Sequence, residues 1–131
     1  SNPGSGELQD LAAGQATVAD AMADRVAAWG SIRLGSCGLS AVGAVVGATY
    51  PDHARALRER MPATVFLVPG YGAQGASAAD AVAGRRPDGR GVLVSSSRAI
   101  TAAWQDEGLD DVAGAAHRAL ERMNADLAAA L

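Results

Sequence analysis

Apolar runs and amphipathic stretches alternate along this chain. Three short runs are rich in valine, leucine and alanine, and each ends near glycine, proline or serine. Their length and composition predict strands buried on both faces, the kind found in parallel sheets. We place these strands at residues 41–49, 64–70 and 91–100.

Helical spacing of apolar residues predicts a helix before, between and after these strands. The first covers residues 7–29 and the last residues 108–131. Pro51 opens the second helix and Pro62 stops it, while Ser77 caps the third. Strands that alternate with helices imply an α/β fold with a parallel sheet and right-handed crossovers.

A parallel sheet of only three strands leaves two bare edges that need cover. We therefore expect part of a larger fold, such as the second half of a TIM (β/α)8 barrel, whose usual length is about 250 residues. Residues 1–131 would form one such partial domain. The chain starts at Ser1 without an initiator methionine, from which we expect a processed chain or a piece of a longer protein.

Composition narrows the classes of partner. Hydrophobic residues make up 49% of the chain, and the net charge is −3 with acidic and basic residues interspersed. A nucleic-acid binder would show a basic patch, so we expect no nucleic-acid partner. No apolar run approaches the ~18 residues that cross a bilayer, and no charged leader precedes an apolar stretch. We therefore expect no membrane partner.

Cysteine, histidine and lysine usage narrows the chemistry. The single Cys37 excludes an internal disulfide and fits a reducing, cytoplasmic compartment. His53 and His117 lie far apart in sequence, so we expect no zinc site. All 11 basic residues counted as lysine or arginine are arginines, which forbids any mechanism that needs a lysine from this chain.

Glycine and serine follow the second and third predicted strands, and ligands of α/β folds bind beyond the carboxyl ends of strands. The turn is PGYGAQG at residues 69–75, and the third strand ends in SSSR at residues 95–98. Glycine N–H groups, the start of a short helix and a bidentate Arg98 could together hold a phosphate. Gln74 could bridge that phosphate and the rest of a ligand, or bind a nucleobase edge. The alternatives are a turn that only redirects the chain and an arginine in a structural ion pair.

The remaining titratable residues are predicted to be structural. We expect His53 and His117 at the surface, and Cys37 in a small loop or the core, because no basic partner is next to it in sequence. Four acidic residues are predicted to form a solvated helix start rather than a catalytic pair: Asp106, Glu107, Asp110 and Asp111.

Three motifs, VVGATYP, FLVPGYGAQG and GVLVSSSRAI, occur in this order. Together they resemble the C-terminal half of orotidine 5'-phosphate decarboxylase, most of all the bacterial branch with a PG-x-GAQG turn. The opening SNP is similar to the serine-containing turn after the fifth strand of that family. The resemblance covers nearly the whole chain and implies strands six to eight of a TIM barrel.

The resemblance implies a role in decarboxylating orotidine 5'-monophosphate (OMP) to UMP, the last step of pyrimidine synthesis, with no cofactor and no metal. Gln74 corresponds to the family's glutamine near the phosphate and base, and Arg98 to its phosphate-binding arginine. Ser1 corresponds to the serine that hydrogen-bonds the pyrimidine. Backbone groups near Gly72 and Ser97 are expected to complete the phosphate site.

Two features depart from the family. Tyr71 stands where a smaller aliphatic residue is expected. The catalytic lysine–aspartate array, centred on an Asp-x-Lys-x-x-Asp motif, has no counterpart, so this chain would supply no catalytic residue.

The implied partners are the nucleotide, a second subunit in a homodimer of the full-length enzyme, or a complementary N-terminal half. Two other hypotheses remain: a different phosphate-binding barrel that acts on a sugar phosphate, and a non-catalytic nucleotide-binding half-barrel.

Overall fold

The computed structural model describes residues 3–72 and 74–131. Its strands are β1 (Ala12–Ala13), β2 (Ala16–Thr17), β3 (Gly43–Val45), β4 (Val65–Pro69) and β5 (Val92–Ser95). Its α-helices are α1 (Gly6–Gln9), α2 (Val18–Ser31), α3 (Pro51–Arg60), α4 (Ala78–Ala81), α5 (Ser97–Thr101), α6 (Trp104–Glu107) and α7 (Val112–Ala129). Short 3₁₀ turns lie at Pro3–Ser5 and Leu109–Asp111.

The strands β3, β4 and β5 form one parallel sheet with β4 at its centre. Val45 pairs with Leu67, and Leu67 pairs with Leu93 on the other side. Pairing continues past the end of β3, because the Ala48 N–H donates to the Pro69 carbonyl at 2.9 Å. The predicted parallel α/β sheet is therefore confirmed.

One face of this sheet is covered by helices and forms the core. Phe66 and Val68 of β4 are 0% and 3% exposed, and α2 and α3 pack Ala23 and Leu57 against them. Alternate residues of a strand point to opposite faces, so the same residues cannot also fill the other face. Most of the core side chains are small, which allows the helices to lie close to the sheet.

The other face is open among the described residues, which corrects the prediction of strands buried on both faces. Val45, Leu67 and Leu93 form a row across the sheet and are 70%, 44% and 62% exposed. The outer edges of β3 and β5 pair with no other described strand. In a barrel, such a face is covered by side chains of the remaining strands.

The single helix predicted over residues 7–29 is wrong in its first half. There α1 is short, β1 and β2 form a small antiparallel hairpin, and a new helix begins at Val18. Gly14 has φ +69° in the hairpin turn, a conformation that glycine adopts readily. Thr17 and Asp20 then form a capping box, with backbone-to-side-chain bonds of 3.1 and 3.2 Å, which starts α2.

The third predicted strand, residues 91–100, also ends earlier than expected. Strand β5 stops at Ser95, and the chain becomes helical from Ser97. The other predicted starts hold, since Pro51 opens α3 and Ser77 caps α4. The early end of β5 matters for function, because it moves the last serine and the following arginine from a strand to a helix start.

Candidate functional site

The carboxyl ends of β3, β4 and β5 meet at one edge of the sheet, because the strands are parallel. Ala48, beyond β3, is hydrogen-bonded to Pro69 at the end of β4. The Ser96 hydroxyl, beyond β5, donates to the Tyr71 carbonyl at 3.5 Å. The glycine-rich turn and the serine-rich end of β5 are therefore neighbours, as the sequence predicts.

A turn that includes residues 70–72 and 74–76, here called the glycine loop, follows β4. The Gly72 N–H donates to the Ala76 carbonyl at 2.9 Å, and the Gly75 N–H donates to the Gly72 carbonyl at 2.8 Å. Gly70, Gly72 and Gly75 have φ values of +111°, +69° and +90°, which cost residues with a Cβ about 1–2 kcal/mol. A Cβ on Gly72 or Gly75 would meet no atom within 4 Å. Backbone conformation, not lack of space, therefore explains glycine at these two positions.

Gln74 projects from the glycine loop with an exposed side chain. The side chain lies back over the strand ends, since a Cβ placed on Gly70 would be 3.5 Å from the Gln74 Oε1 and 3.6 Å from the Ala48 Cβ. The Gln74 amide forms no hydrogen bond with another described residue. Its donor and its acceptor are thus both open to a ligand.

Arg98 lies in the first turn of α5, with its side chain exposed. Its guanidinium forms no ion pair or hydrogen bond with any residue that the structure describes, whereas Arg118 binds two carboxylates. The alternative of a structural ion pair for Arg98 thus finds no partner in the described chain. Ser97 starts the same helix, where N–H groups have no partner within the helix.

The predicted ligand contacts of Gly72 and Ser1 differ from those of Gln74 and Arg98. The Gly72 N–H is already used by the Ala76 carbonyl, so Gly72 shapes the loop and offers no unoccupied donor. Ser1 lies outside the described residues, and its contact with a pyrimidine stays a prediction.

Two of the four carboxylates ahead of α7 bind arginines or a helix N–H. Glu107 accepts hydrogen bonds from Arg118 and Arg122 at 2.8 and 3.0 Å. These bonds lower the pKa of the Glu107 carboxyl. Asp111 caps α7 by accepting from the Gly114 N–H at 2.9 Å, and this bond, followed by the one from Arg118, lowers its pKa.

The cysteine and the two histidines lie outside the glycine loop and the serine-rich end of β5, which meet at the carboxyl edge of the sheet. Cys37 is exposed in the segment before β3, and His117 is exposed 3.3 Å from Glu121. His53 is partly exposed and lines an apolar groove of about 620 Å³ between α1, α2, α3 and β3. Within residues 3–72 and 74–131, no three His, Cys, Asp or Glu side chains gather as a metal site. No described helix is both long enough and apolar enough to cross a bilayer.

Sequence reasoning missed two polar side chains near this edge. The Thr49 Oγ1 is buried and has no hydrogen-bond partner among the described residues; its signal was its place directly after an apolar run. The Tyr71 hydroxyl donates to the Asp126 carboxylate of α7 at 2.7 Å, across 55 residues of sequence, which no local pattern could predict. This bond raises the pKa of Tyr71. Tyr71 and Asp126 line a cleft of about 500 Å³ between the glycine loop, α5 and α7.

Comparisons with known proteins agree with the motifs. No protein-family model matches the chain. The orotidine 5'-phosphate decarboxylase of Rhodopirellula baltica is 47% identical over 107 residues, 82% of this chain and 35% of the relative. That of Caldicellulosiruptor bescii is 41% identical over 106 residues, 81% of this chain and 35% of the relative. The structure of Leishmania donovani OMP decarboxylase matches with a TM-score of 0.66 and 34% identity, covering 96% of this chain and 45% of that one.

The chain spans about a third of the length of these curated relatives. The match therefore concerns one part of those relatives, which agrees with a three-stranded parallel sheet whose second face is open among the described residues. In sequence and fold, this chain is therefore similar to one part of the TIM barrel of orotidine 5'-phosphate decarboxylases.

Proposed function

We propose that this chain provides the phosphate- and pyrimidine-binding part of an orotidine 5'-phosphate decarboxylase, which converts OMP to UMP and carbon dioxide. The observation that supports it most is the pair of unpartnered groups at the carboxyl edge of the sheet. The Arg98 guanidinium and the Gln74 amide project from adjacent segments and bind no other described residue. Relatives named for this activity share 41% and 47% of the matched residues.

Each group has a role that suits its chemistry. Arg98 holds the phosphate oxygens of the nucleotide in bidentate fashion, and the Ser97 N–H adds a backbone donor. Gln74 bridges the phosphate and the base, and Ser1 hydrogen-bonds the pyrimidine. Gly72 keeps the loop in the conformation that presents Gln74. Binding energy from the remote phosphate then positions the ring that reacts.

The chemistry itself comes from outside these residues. The chain has no lysine, so the lysine that protonates C6 and its aspartate partners belong to the remaining part of the barrel, in the same protein or in a second chain. Residues 1–131 then correspond to strands six to eight with their helices. The row Val45, Leu67 and Leu93 faces the barrel interior in this arrangement. The complete enzyme is a cytoplasmic, bacterial homodimer in this proposal.

Substitution of Arg98 tests the phosphate site. The Arg98→Ala protein should bind UMP about tenfold to a hundredfold more weakly in calorimetric titration, because a charge-assisted contact with phosphate is lost. The unfolding midpoint should stay that of the parent. Arg33→Ala is the matched control, since Arg33 is also exposed and without a described partner but precedes β3, at the opposite end of the sheet. Equal UMP affinity in the parent and Arg98→Ala would refute the assignment.

A second titration separates the nucleotide from a sugar phosphate. UMP should bind more tightly than ribose 5-phosphate, because Gln74 contacts the base as well as the phosphate. Gln74→Ala should reduce this difference. Equal affinity of the parent for both ligands would favour a sugar-phosphate enzyme built on the same barrel.

A further inference from the structure

Tyr71 connects the glycine loop with the last helix of the chain. Its hydroxyl donates to Asp126 of α7 at 2.7 Å, and its ring is partly buried against the core. Its backbone pairs with Ala76 at the other end of the loop. One residue thus joins the base of the loop, the core and α7.

Helix α7, which carries Asp126, is packed against the rest of the fold. It packs on α4 and α5 and buries Ala115 and Met123. Asp126 lies three residues after Met123, one turn along the helix and on a neighbouring face. The carboxylate is therefore held near the side of α7 that faces the fold.

Both ends of the glycine loop are held by the fold, since Gly70 is buried and Ala76 belongs to the core. Its exposed part, with Gly72, Gln74 and Gly75, has few other attachments. Apart from its internal bonds, a described contact is the long 3.5 Å bond from Ser96 to the Tyr71 carbonyl. Glycine-rich segments lose much conformational entropy when they become ordered. The conformation of this exposed part therefore depends on its internal bonds and on the tether at its base.

We propose that Tyr71 is a positioning residue, whose hydrogen bond to Asp126 fixes the glycine loop against α7 and so holds Gln74 in place for the ligand. This inference rests on the proposed function for its ligand, because Gln74 is the group that is positioned. It also gives a physical reason for a tyrosine where a smaller aliphatic residue was expected: the hydroxyl reaches α7, which an aliphatic side chain cannot bind by a hydrogen bond.

Hydrogen exchange of the unliganded protein tests the tether without reference to any ligand. In Tyr71→Phe and in Asp126→Ala, the amides of Gly72 and Gly75 should exchange roughly threefold to tenfold faster. The Phe66 amide, bonded to the Gly91 carbonyl at 2.8 Å in the sheet, should exchange at the parental rate. A general loss of stability would instead accelerate all three amides.

Two further variants separate the hydrogen bond from other effects. Asp126→Asn keeps an acceptor for the Tyr71 hydroxyl and should behave like the parent. Glu121→Gln changes another exposed carboxylate of α7, which contacts His117 and not the loop, and should leave loop exchange unchanged.

UMP titration then tests the positioning role. Tyr71→Phe and Asp126→Ala should each bind UMP roughly threefold to tenfold more weakly, and the double variant no more weakly than either, because one bond is lost in all three. Parental exchange at Gly72 and Gly75 in both single variants would overturn the tether. Faster exchange with unchanged UMP affinity would overturn the positioning role. If the parent itself binds no UMP while exchange still rises, the proposed function fails and the tether stands.

Discussion

Arg58 is a buried charge that joins α3 to three other segments: the turn after α3, the turn after α4, and the turn before β5. Its guanidinium lies 3.8 Å from the centroid of the Phe66 ring. It donates at 2.6–2.9 Å to the carbonyl groups of Met61, Thr64, Gly84 and Gly91. Burial, with the nearby Arg86 charge, lowers the pKa of Arg58 to about 10, so the group remains charged at neutral pH. Carbonyl oxygens, not a carboxylate, thus satisfy most of its donors.

Removal of this side chain should be costly. Arg58→Ala removes a donor from four buried carbonyl groups and opens a cavity beside Phe66. The Met61 and Gly91 carbonyls keep a backbone N–H donor. We expect a loss of about 3 kcal/mol or more in the free energy of unfolding. Arg55→Ala on the same helix removes an exposed ion pair with Asp52 and should cost at most about 0.5 kcal/mol. Urea denaturation measures both. Similar losses for the two variants would contradict the central role of Arg58.

Gly72 and Gly89 offer a matched pair of residues for the glycine loop. Their φ values are +69° and +78°, and a Cβ on either would meet no atom within 4 Å. Each substitution by alanine should therefore cost a similar amount, about 1–2 kcal/mol of backbone strain. Gly89 lies in the turn before β5, at the opposite end of the sheet. Gly72→Ala should therefore weaken UMP binding, while Gly89→Ala should leave it unchanged; equal UMP affinities would argue against a ligand-binding glycine loop.

At the scale of elements, α6 and α7 are joined by ion pairs that acid will break. Glu107 and Asp111 have pKa values below their ordinary 4.5 and 3.8, because arginines and a helix N–H stabilise the charged forms. A depressed pKa in the folded state gives stability that is present above the unfolded pKa and is lost as the pH falls through the folded one. The contacts should therefore contribute fully at neutral pH, and their contribution should be lost in acid, as the pH falls from the ordinary pKa values through the depressed ones.

Glu107→Gln tests this sign. The variant cannot ionise at this position, so its stability should vary less with pH between neutral pH and about pH 3 than that of the parent. Thermal melts followed by far-UV circular dichroism across this range measure the difference. Glu121→Gln is a control on the neighbouring surface, because its His117 contact is exposed. An acid profile identical in the parent and Glu107→Gln would show that the Arg118 and Arg122 contacts add nothing.

Local patterns predicted the elements whose signals are local. Valine runs gave the parallel sheet, Pro51 gave the start of α3, and Ser77 gave the cap of α4. The hairpin inside residues 7–29 was missed because its apolar residues also fit a helical period. The positive φ of Gly14, which permits the turn, cannot be read from the residue type alone. Glycine within a helical pattern argues against a continuous helix, but the helical spacing of the apolar residues outweighed this signal at Gly14.

The candidate site divides in the same way. Strand-end position was enough to predict Gln74 and Arg98 at one edge, because parallel strands bring their carboxyl ends together. Tyr71 with Asp126 could not be predicted, since the partners are 55 residues apart. The burial of Arg58 does have a signal in the sequence, because Arg58 lies on the same helical stripe as the apolar residues Leu57 and Met61, which are both buried.

At the scale of the whole molecule, the open face of the sheet is the main apolar surface that no described element covers. Its exposed row of Val45, Leu67 and Leu93 crosses all three strands in register. Contiguous apolar surface of this kind marks a place that another element covers. In a barrel, strand side chains that point away from the surrounding helices fill the interior. The proposed function therefore requires the remaining strands to pack against this row.

Leu93→Glu tests that requirement against Leu120→Glu. The two leucines are 62% and 41% exposed, on the open sheet face and on α7, so neither substitution should change the stability of this chain by more than about 0.5 kcal/mol. Association with the remaining strands of a family barrel, measured by native mass spectrometry, should be lost only in Leu93→Glu. An unpaired carboxylate in a barrel interior costs several kcal/mol, whereas one on an outer helix stays in water. If Leu93→Glu assembles as well as Leu120→Glu, the open face is not the barrel interior, and the catalytic lysine must reach the glycine loop from another side.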